Sequence, residues 1–274
     1  MSRPILHTQR LAGLEVFSCL PEAAPRPTPL LFVHGAFVGG WMWTDTFLPY
    51  FAAAGYPAYA VSLRGHGGSD GHEAIDWHAI SDYVADVKTV CHWLEGQGRA
   101  PVLIGHSMGG FVVQKYLEQH SAPGAILLCS VPPQGLVASQ FHMFFQKPEL
   151  FFEINRIMEG DHSDPTVIRE ALFAGEISDA TLDLFRRRMQ AESHRAVWDM
   201  SMFNFPLLAA QSRPPMLVAG GEKDALIPPF LVQGTAQTYG LRDHIFRGVG
   251  HMLPHEKEWP HIAATLVDWL EEAI

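Results

Sequence analysis

The chain has 274 residues, of which 47% are hydrophobic and 18% charged, with 19 basic against 29 acidic side chains. This length and composition fit one large globular domain, or one domain with an insertion, that needs neither disulfides nor a metal to fold. The formal charge of −10 argues against nucleic acid or an anionic membrane as the main partner, because both repel an acidic protein.

The cellular compartment of the protein can be predicted from its cysteines and from the lack of a long apolar segment. Cys19, Cys91 and Cys129 are odd in number, widely spaced and set in apolar runs, so we predict buried thiols in a reducing compartment. No apolar run approaches the ~18 residues of a membrane helix. The stretch 11–20 is interrupted by polar residues and lacks the cleavage site of a signal peptide. The sequence therefore predicts a soluble cytoplasmic protein without stable membrane insertion.

Short apolar runs alternate with longer stretches of helical character. The runs lie at 29–34, 101–105, 124–129 and 215–219, and they suit strands covered on both faces. The helix-length stretches lie at 44–54, 79–97, 108–119, 228–239 and 260–272. This alternation predicts an α/β fold, a doubly wound and mostly parallel sheet with helices on both faces.

The alternation breaks between residues 132 and 213. This stretch has no comparable buried run but several apparent helices, and proline pairs at 132–133 and 214–215 mark its ends. We therefore expect a core formed by residues 1–131 and 214–274, with 132–213 as a helical cap, or lid, over the strand ends.

One serine lies where a strand is expected to turn into a helix. Gly105-His-Ser107-Met-Gly109 has the Gly-x-Ser-x-Gly pattern, in which small residues on either side allow a sharp, strained turn that exposes the serine hydroxyl. The turn directs the Met108 amide, at the start of the helix, towards negative charge developing beside Ser107. The earlier segment His34-Gly-Ala36-Phe37 also follows a buried run. We expect the Ala36 amide to be the second donor of an oxyanion hole.

A serine nucleophile needs a base that is itself oriented by a third group. Asp224 follows the run at 215–219, where ligands bind in parallel sheets, with Glu222 as a competing acid. His251 follows the strand-like segment 243–247 and completes the order serine, acid, histidine. His244, His255 and His261 are its local competitors.

Other motifs point away from metals and cofactors. No His-Glu-x-x-His or Cys-x-x-Cys spacing appears, so we expect neither a metal nor a cofactor. Arg64-Gly-His-Gly-Gly lacks the Lys-Ser/Thr ending of a phosphate loop and is better interpreted as a tight structural turn.

Five motifs in succession carry a family resemblance. They are His34-Gly-Ala-Phe-Val-Gly-Gly-Trp41-Met-Trp43, Ser62-Leu-Arg-Gly-His-Gly-Gly-Ser69, Gly105-His-Ser-Met-Gly-Gly110, Gly221-Glu-Lys-Asp224 and Gly250-His251. Together they resemble the α/β-hydrolase family over essentially the whole chain, most closely its branch of small methylesterases and hydroxynitrile lyases. The resemblance implies Ser107 as nucleophile, His251 as general base and acid, and Asp224 as the orienting carboxylate, with the Ala36 and Met108 amides as oxyanion hole.

Departures from related enzymes narrow the expected chemistry. Haloalkane dehalogenases and epoxide hydrolases of this fold carry aspartate at the position of Ser107. Hydroxynitrile lyases of the related branch have threonine at the position of Ala36 and lysine at that of Met252. These three residues of the chain therefore disfavour those activities.

The expected function is hydrolysis of a small or medium carboxylic ester through an acyl-enzyme, with no cofactor. The residues predicted to contact the substrate are Phe37, Trp43, His106, Phe141, Phe144 and Met252. Carbon–carbon bond hydrolysis and acyl transfer reuse the same triad and stay open, as does a binding protein of this fold without turnover. The expected partner is a small-molecule ester, and apolar lid residues leave an oligomer open.

Overall fold

In this computed structural model, residues 4–23, 25–158, 164–210 and 213–274 are described. Within these ranges, eight strands form one sheet in the order β1-β2-β4-β3-β5-β6-β7-β8. The strands are β1 Leu6–Leu11, β2 Leu14–Cys19, β3 Leu30–Val33, β4 Ala58–Val61, β5 Val102–His106, β6 Ala125–Leu128, β7 Met216–Gly221 and β8 Asp243–Phe246. Neighbouring strands from β4 to β8 are parallel, and the β1–β2 hairpin joins β4 in antiparallel fashion. The predicted mostly parallel sheet is confirmed.

Helices connect the strands and cover the sheet. They are α1 Phe47–Ala53, α2 Ile80–Glu95, α3 Met108–Tyr116, α4 Val137–Gln146, α5 Pro148–Met158, α6 Pro165–Leu172, α7 Asp179–Arg188, α8 His194–Trp198, α9 Pro229–Tyr239 and α10 Trp259–Ala273. The helices α4 to α8 all lie between β6 and β7, and the part of 132–213 that the structure describes contains no strand.

Strand β3 shows why the central runs are apolar at every position. Leu30 and Phe32 belong to the core cluster that includes α1 and α10, whereas Leu31 and Val33 belong to the cluster that includes α2, α3 and α9. All four side chains are fully buried. Because alternate side chains of a strand point to opposite faces, a strand buried on both faces is continuously apolar.

The β1–β2 hairpin and β4 were not among the predicted strands. Five of the six residues of β1 are exposed, so this edge strand carries no apolar run. The hairpin turns at Ala12 and Gly13, which both have positive φ, 48° and 84°. Positive φ at both central residues is the conformation that matches the twist of two paired strands.

The structure bears on two further expectations, buried cysteines and the lack of a membrane-spanning helix. Cys19, Cys91 and Cys129 are buried thiols, as predicted. Among the helices of the described ranges, none is both long enough and apolar enough to cross a bilayer.

Candidate active site

Ser107 occupies the tight turn between β5 and α3. Its φ and ψ are 52° and −118°, a strained conformation for a residue with a side chain. A Cβ atom on Gly105 would lie 2.6 Å from the Gly110 Cα, and one on Gly109 would collide with the carbonyl oxygens of β3. The Ser107 amide donates to the Leu128 carbonyl at 2.9 Å, which ties the turn to β6. Glycines at these positions therefore let the strand turn into the helix and present the serine at the sheet edge.

Asp224 and His251 meet at the same edge. Asp224 lies after β7 and His251 after β8, both are buried, and His251 Nδ1 lies 2.7 Å from Asp224 Oδ2. The other carboxylate oxygen accepts from the Leu226 and Ile227 amides at 2.8 Å. Because a carboxylate can only accept, Nδ1 of His251 carries the proton, and Nε2 of the neutral ring is left as a base.

Two backbone amides flank Ser107. Ala36 and Met108 line the same cavity as Ser107, and a Cβ atom on Gly35 would lie 3.0 Å from the Ser107 Cβ, so the 34–37 loop touches the turn that carries Ser107. Within the described ranges, neither the Ala36 nor the Met108 amide donates to a protein acceptor. Both N–H groups are thus available to an anion beside Ser107.

His34 holds this loop in place. It is fully buried, its Nε2 accepts from the Leu63 amide at 3.0 Å, and its Nδ1 donates to the Gly35 carbonyl at 2.7 Å. Burial and the nearby His66 lower the pKa of His34 to about 3. The ring is therefore neutral and links the loop to the end of β4.

A cavity of about 540 Å³ opens above Ser107 and His251. Its walls come from the sheet edge and from the helices between β6 and β7. Of the residues predicted to contact the substrate, five line it: Phe37, His106, Phe141, Phe144 and Met252. Phe141 and Phe144 are 60% and 46% exposed, which places them at its mouth. The other lining residues are mainly apolar, and the polar ones outside the catalytic loops are Ser139, Gln140 and Asn155.

Trp43 is not a cavity residue, and its predicted substrate contact is wrong. Its side chain is fully buried, with ring centroids 5.0 Å from Phe32 and 5.4 Å from Phe47. The short 3₁₀ turn Gly40–Trp43 directs the indole into the core beneath the sheet. Trp41, two residues earlier, packs on Phe185 of α7 instead.

His106 lines the cavity and is bonded to the loop that carries His251. Its Nε2 donates to the His251 carbonyl at 2.9 Å, and it is almost fully buried. Burial, with the adjacent His251, lowers the pKa of His106 well below its ordinary value. A neutral His106 therefore fixes the loop that carries His251.

His106, Cys129 and His251 each bring a potential metal-ligating atom within 4.8 Å of the others. His251 Nδ1 is bonded to Asp224, and the Cys129 thiol is hydrogen-bonded to the same carboxylate. Burial, together with the Asp224 charge, raises the pKa of Cys129 well above its usual value. Since a metal needs the thiolate, these three residues do not fit a metal centre.

Sequence reasoning missed three buried groups beside the site. Cys129, at φ 44°, directly follows β6 at the same sheet edge, a position that the strand pattern could have singled out. Glu256 accepts from the Gly250 amide at 2.8 Å and from the Ala174 amide at 2.6 Å. Glu192 bonds the Phe37 amide at 3.3 Å. No pattern identifies these two glutamates, because the fold alone brings distant segments to them.

Comparison with known proteins identifies the family of the chain. A monoacylglycerol lipase from Mycolicibacterium smegmatis is 25% identical over 233 residues, 80% of each chain. A non-heme chloroperoxidase from Burkholderia pyrrocinia is 36% identical over 110 residues, which is only 38% of either chain. An esterase structure from Exiguobacterium antarcticum superposes with a TM-score of 0.71 at 20% identity, covering 97% of this chain and all of that one. The sequence profile of the alpha/beta hydrolase family matches residues 30–261, so the chain belongs to that family.

Proposed function

We propose that the protein is a serine hydrolase that cleaves a small or medium carboxylic ester with an apolar acyl or alcohol part. One observation carries the proposal: Ser107, in its strained turn, lines the same cavity as His251, whose ring is bonded to the buried Asp224. The names of the similar lipase and esterase point in the same direction.

The proposed reaction passes through an acyl-enzyme. Ser107 Oγ attacks the carbonyl carbon while His251 Nε2 takes the hydroxyl proton, and the oxyanion accepts from the amides of Ala36 and Met108. The tetrahedral intermediate collapses, and the departing alcohol takes the proton from His251. Water, deprotonated by the same Nε2, then attacks the acyl carbon and releases the acid, and the proton returns to Ser107. Asp224 keeps the ring in its tautomer and stabilises the imidazolium.

The cavity supports the substrate class. Its size, about 540 Å³, lies within the range of small-molecule sites, and its walls are mainly apolar. An apolar chain in it would gain free energy from burial. We expect p-nitrophenyl esters of medium acyl length to be hydrolysed faster than the acetate or the palmitate.

The test is fluorophosphonate labelling of the wild type beside Ser107→Ala, followed by hydrolysis of the ester series. We expect the variant to lose both labelling and turnover while keeping the fold. Ser121→Ala changes an exposed serine between α3 and β6 and should match the wild type. Absence of labelling in the wild type, or ester hydrolysis retained by Ser107→Ala, would overturn the proposal. Product analysis with competing alcohols separates hydrolysis from acyl transfer.

A further inference from the structure

Glu192 lies between α7 and α8 and has no exposed surface. Its carboxylate accepts four hydrogen bonds, from the Phe37 amide at 3.3 Å, His66 Nε2 at 3.0 Å, the Tyr83 hydroxyl at 2.9 Å and the Ser193 amide at 2.7 Å. A buried carboxylate is costly unless all its oxygens are bonded. Three of the partners come from distant parts of the chain, so this side chain joins those parts to the segment between α7 and α8.

The His66 ring supplies the opposite charge. Its Nδ1 faces the Arg64 carbonyl at 3.0 Å and its Nε2 faces Glu192, and both acceptors require an N–H. Burial alone lowers the pKa of His66, but the charge and hydrogen bond of Glu192 outweigh it and raise that pKa. In turn His66 holds the pKa of Glu192 below its ordinary value, against the effect of burial. The two groups form a buried ion pair next to His34, whose ring centroid is 5.0 Å from that of His66.

Phe37 is the backbone link from this pair to the nucleophile. Its φ of 66° is unusual for a residue with a side chain and must be held by its surroundings. Glu192 binds its amide, and the Gln190 amide donates to its carbonyl at 3.0 Å. Both polar groups of the Phe37 backbone are therefore fixed by residues 190–192. The preceding residue, Ala36, carries one of the two free amides beside Ser107.

We infer that Glu192 is a positioning residue for the oxyanion hole: through the Phe37 backbone it fixes the direction of the Ala36 amide. This inference rests on the proposed ester hydrolysis. Glu192 does not line the cavity above Ser107, and its hydrogen bonds go to Phe37, His66, Tyr83 and Ser193. It also ties the helical stretch between β6 and β7 to the 34–37 loop, in addition to the bond that His34 makes to the Gly35 carbonyl.

Glu192→Gln tests the inference at nearly constant side-chain shape. All four partners donate, whereas an amide has one acceptor oxygen, so the new NH₂ group faces either the Ser193 amide or the Phe37 amide and His66. Loss of one oxyanion donor typically lowers turnover by ~10²–10³. A displaced donor should cost less, and we expect kcat to fall by about tenfold to a hundredfold with KM within twofold.

A trifluoromethyl ketone provides the second measurement. Addition of the Ser107 oxygen to its carbonyl carbon gives a hemiketal whose oxyanion occupies the hole, with the proton on His251. Its affinity should fall in Glu192→Gln by the same factor as kcat/KM, a change that loss of stability alone does not produce. Glu153→Gln is the matched control, since Glu153 is a buried glutamate of α5 that bonds Arg156 and the Asp164 amide away from the loop. It should keep wild-type kcat and inhibitor affinity.

The outcomes separate this inference from the proposed function. Wild-type protein that neither labels nor hydrolyses esters would overturn both. Active wild type with Glu192→Gln matching Glu153→Gln in kcat and inhibitor affinity would overturn the role of Glu192 alone. If Glu192→Gln does not fold, Tyr83→Phe decides, because it removes one bond to the same carboxylate. It should lower kcat and inhibitor affinity together by a few fold, and unchanged values would reject the inference.

Discussion

At the scale of single residues, Asp224 tolerates little change, because its carboxylate only accepts hydrogen bonds. It accepts from His251, two backbone amides and the Cys129 thiol. An asparagine there would keep the amide bonds but present NH₂ to His251 Nδ1, so the ring would carry its proton on Nε2 and could not accept one from Ser107. We expect Asp224→Asn to lower kcat by about 10³–10⁴-fold, as measured with a p-nitrophenyl ester.

Glu222 is the matched control for that experiment. It lies two residues before Asp224 in the same loop, is exposed, and accepts only from the Gly248 amide at 2.9 Å among the described contacts. Glu222→Gln should stay within twofold of the wild type. A larger loss for Glu222→Gln than for Asp224→Asn would assign the acid to Glu222 instead.

The thiols give a second residue-scale prediction. Burial raises the pKa of Cys91 to about 12 and that of Cys129 well above its ordinary value, so neither is a thiolate at neutral pH. We expect a disulfide reagent such as DTNB to modify neither in the native protein and to modify both after unfolding in urea. Rapid native reaction located at Cys129 by peptide mapping would contradict its placement beside Asp224.

The sequence was informative about residues that follow buried strands. The positions of Ser107 and Asp224 could be predicted because each comes after an apolar run, and that of His251 because it follows a strand-like segment; the carboxyl ends of parallel strands share one edge. The direction of the Trp43 side chain could not, since a short turn sets it. Three of the four partners of Glu192 lie more than a hundred residues away in the chain and become its neighbours only in the fold.

At the scale of elements, the predicted runs at 29–34, 101–105, 124–129 and 215–219 correspond to strands β3, β5, β6 and β7. These strands are buried on both faces, so their continuous apolar sequence is enough to identify them. The β1–β2 hairpin has no such apolar run in β1, because that strand is exposed to solvent. The interior strand β4 was missed too, although all four of its residues are buried, because it is short and two of its residues are alanine.

Packing of α3 against β3 yields an element-scale prediction. A Cβ atom on Gly109 would overlap the backbone carbonyls of Val33 and His34, which cannot move without shifting the strand. We expect Gly109→Ala to lower the free energy of unfolding by about 3 kcal/mol or more, because backbone overlap cannot be relieved by a rotamer change. Urea unfolding followed by tryptophan fluorescence measures it.

A glycine-to-alanine substitution in α9 should instead raise the free energy of unfolding. A Cβ atom on Gly234 would meet no atom within 4 Å, and alanine in a helix interior is favoured over glycine by about 0.5–1 kcal/mol. Gly234→Ala should therefore raise the free energy of unfolding by that amount. Equal effects of the two substitutions would show that α3 does not pack on β3 as closely as described.

At the scale of the whole molecule, buried histidines govern the response to acid. Burial is the main cause that lowers the pKa of His34 to about 3, that of His106 well below its usual value, and that of His255. Each stays neutral in the folded protein at a pH where the unfolded chain, with a histidine pKa near 6.5, takes up a proton. The unfolded state then binds more protons, so the free energy of unfolding falls as pH decreases below about 6.5.

The buried ion pair of His66 and Glu192 does not reverse this decrease in the free energy of unfolding. The pKa of His66 is raised, so its stabilisation is fully present below pH 6.5 and is lost only as pH rises through the folded value. The pKa of Glu192 is lowered, so its stabilisation is present above about pH 4.5 and is lost in stronger acid. Between pH 6.5 and 5, the neutral histidines therefore contribute a slope that lowers stability in acid.

Each histidine that stays neutral only in the folded state contributes up to about 1.4 kcal/mol per pH unit to that slope. His255 can be tested alone, because its ring packs against Phe185 with Nε2 buried. Urea unfolding at pH 6.5, 5.75 and 5 should give a shallower slope for His255→Gln than for the wild type, by about one proton. His92→Gln, at a side chain 77% exposed, should keep the wild-type slope. Stability of the wild type that stays constant down to pH 5 would mean that these histidines are not held neutral by the fold.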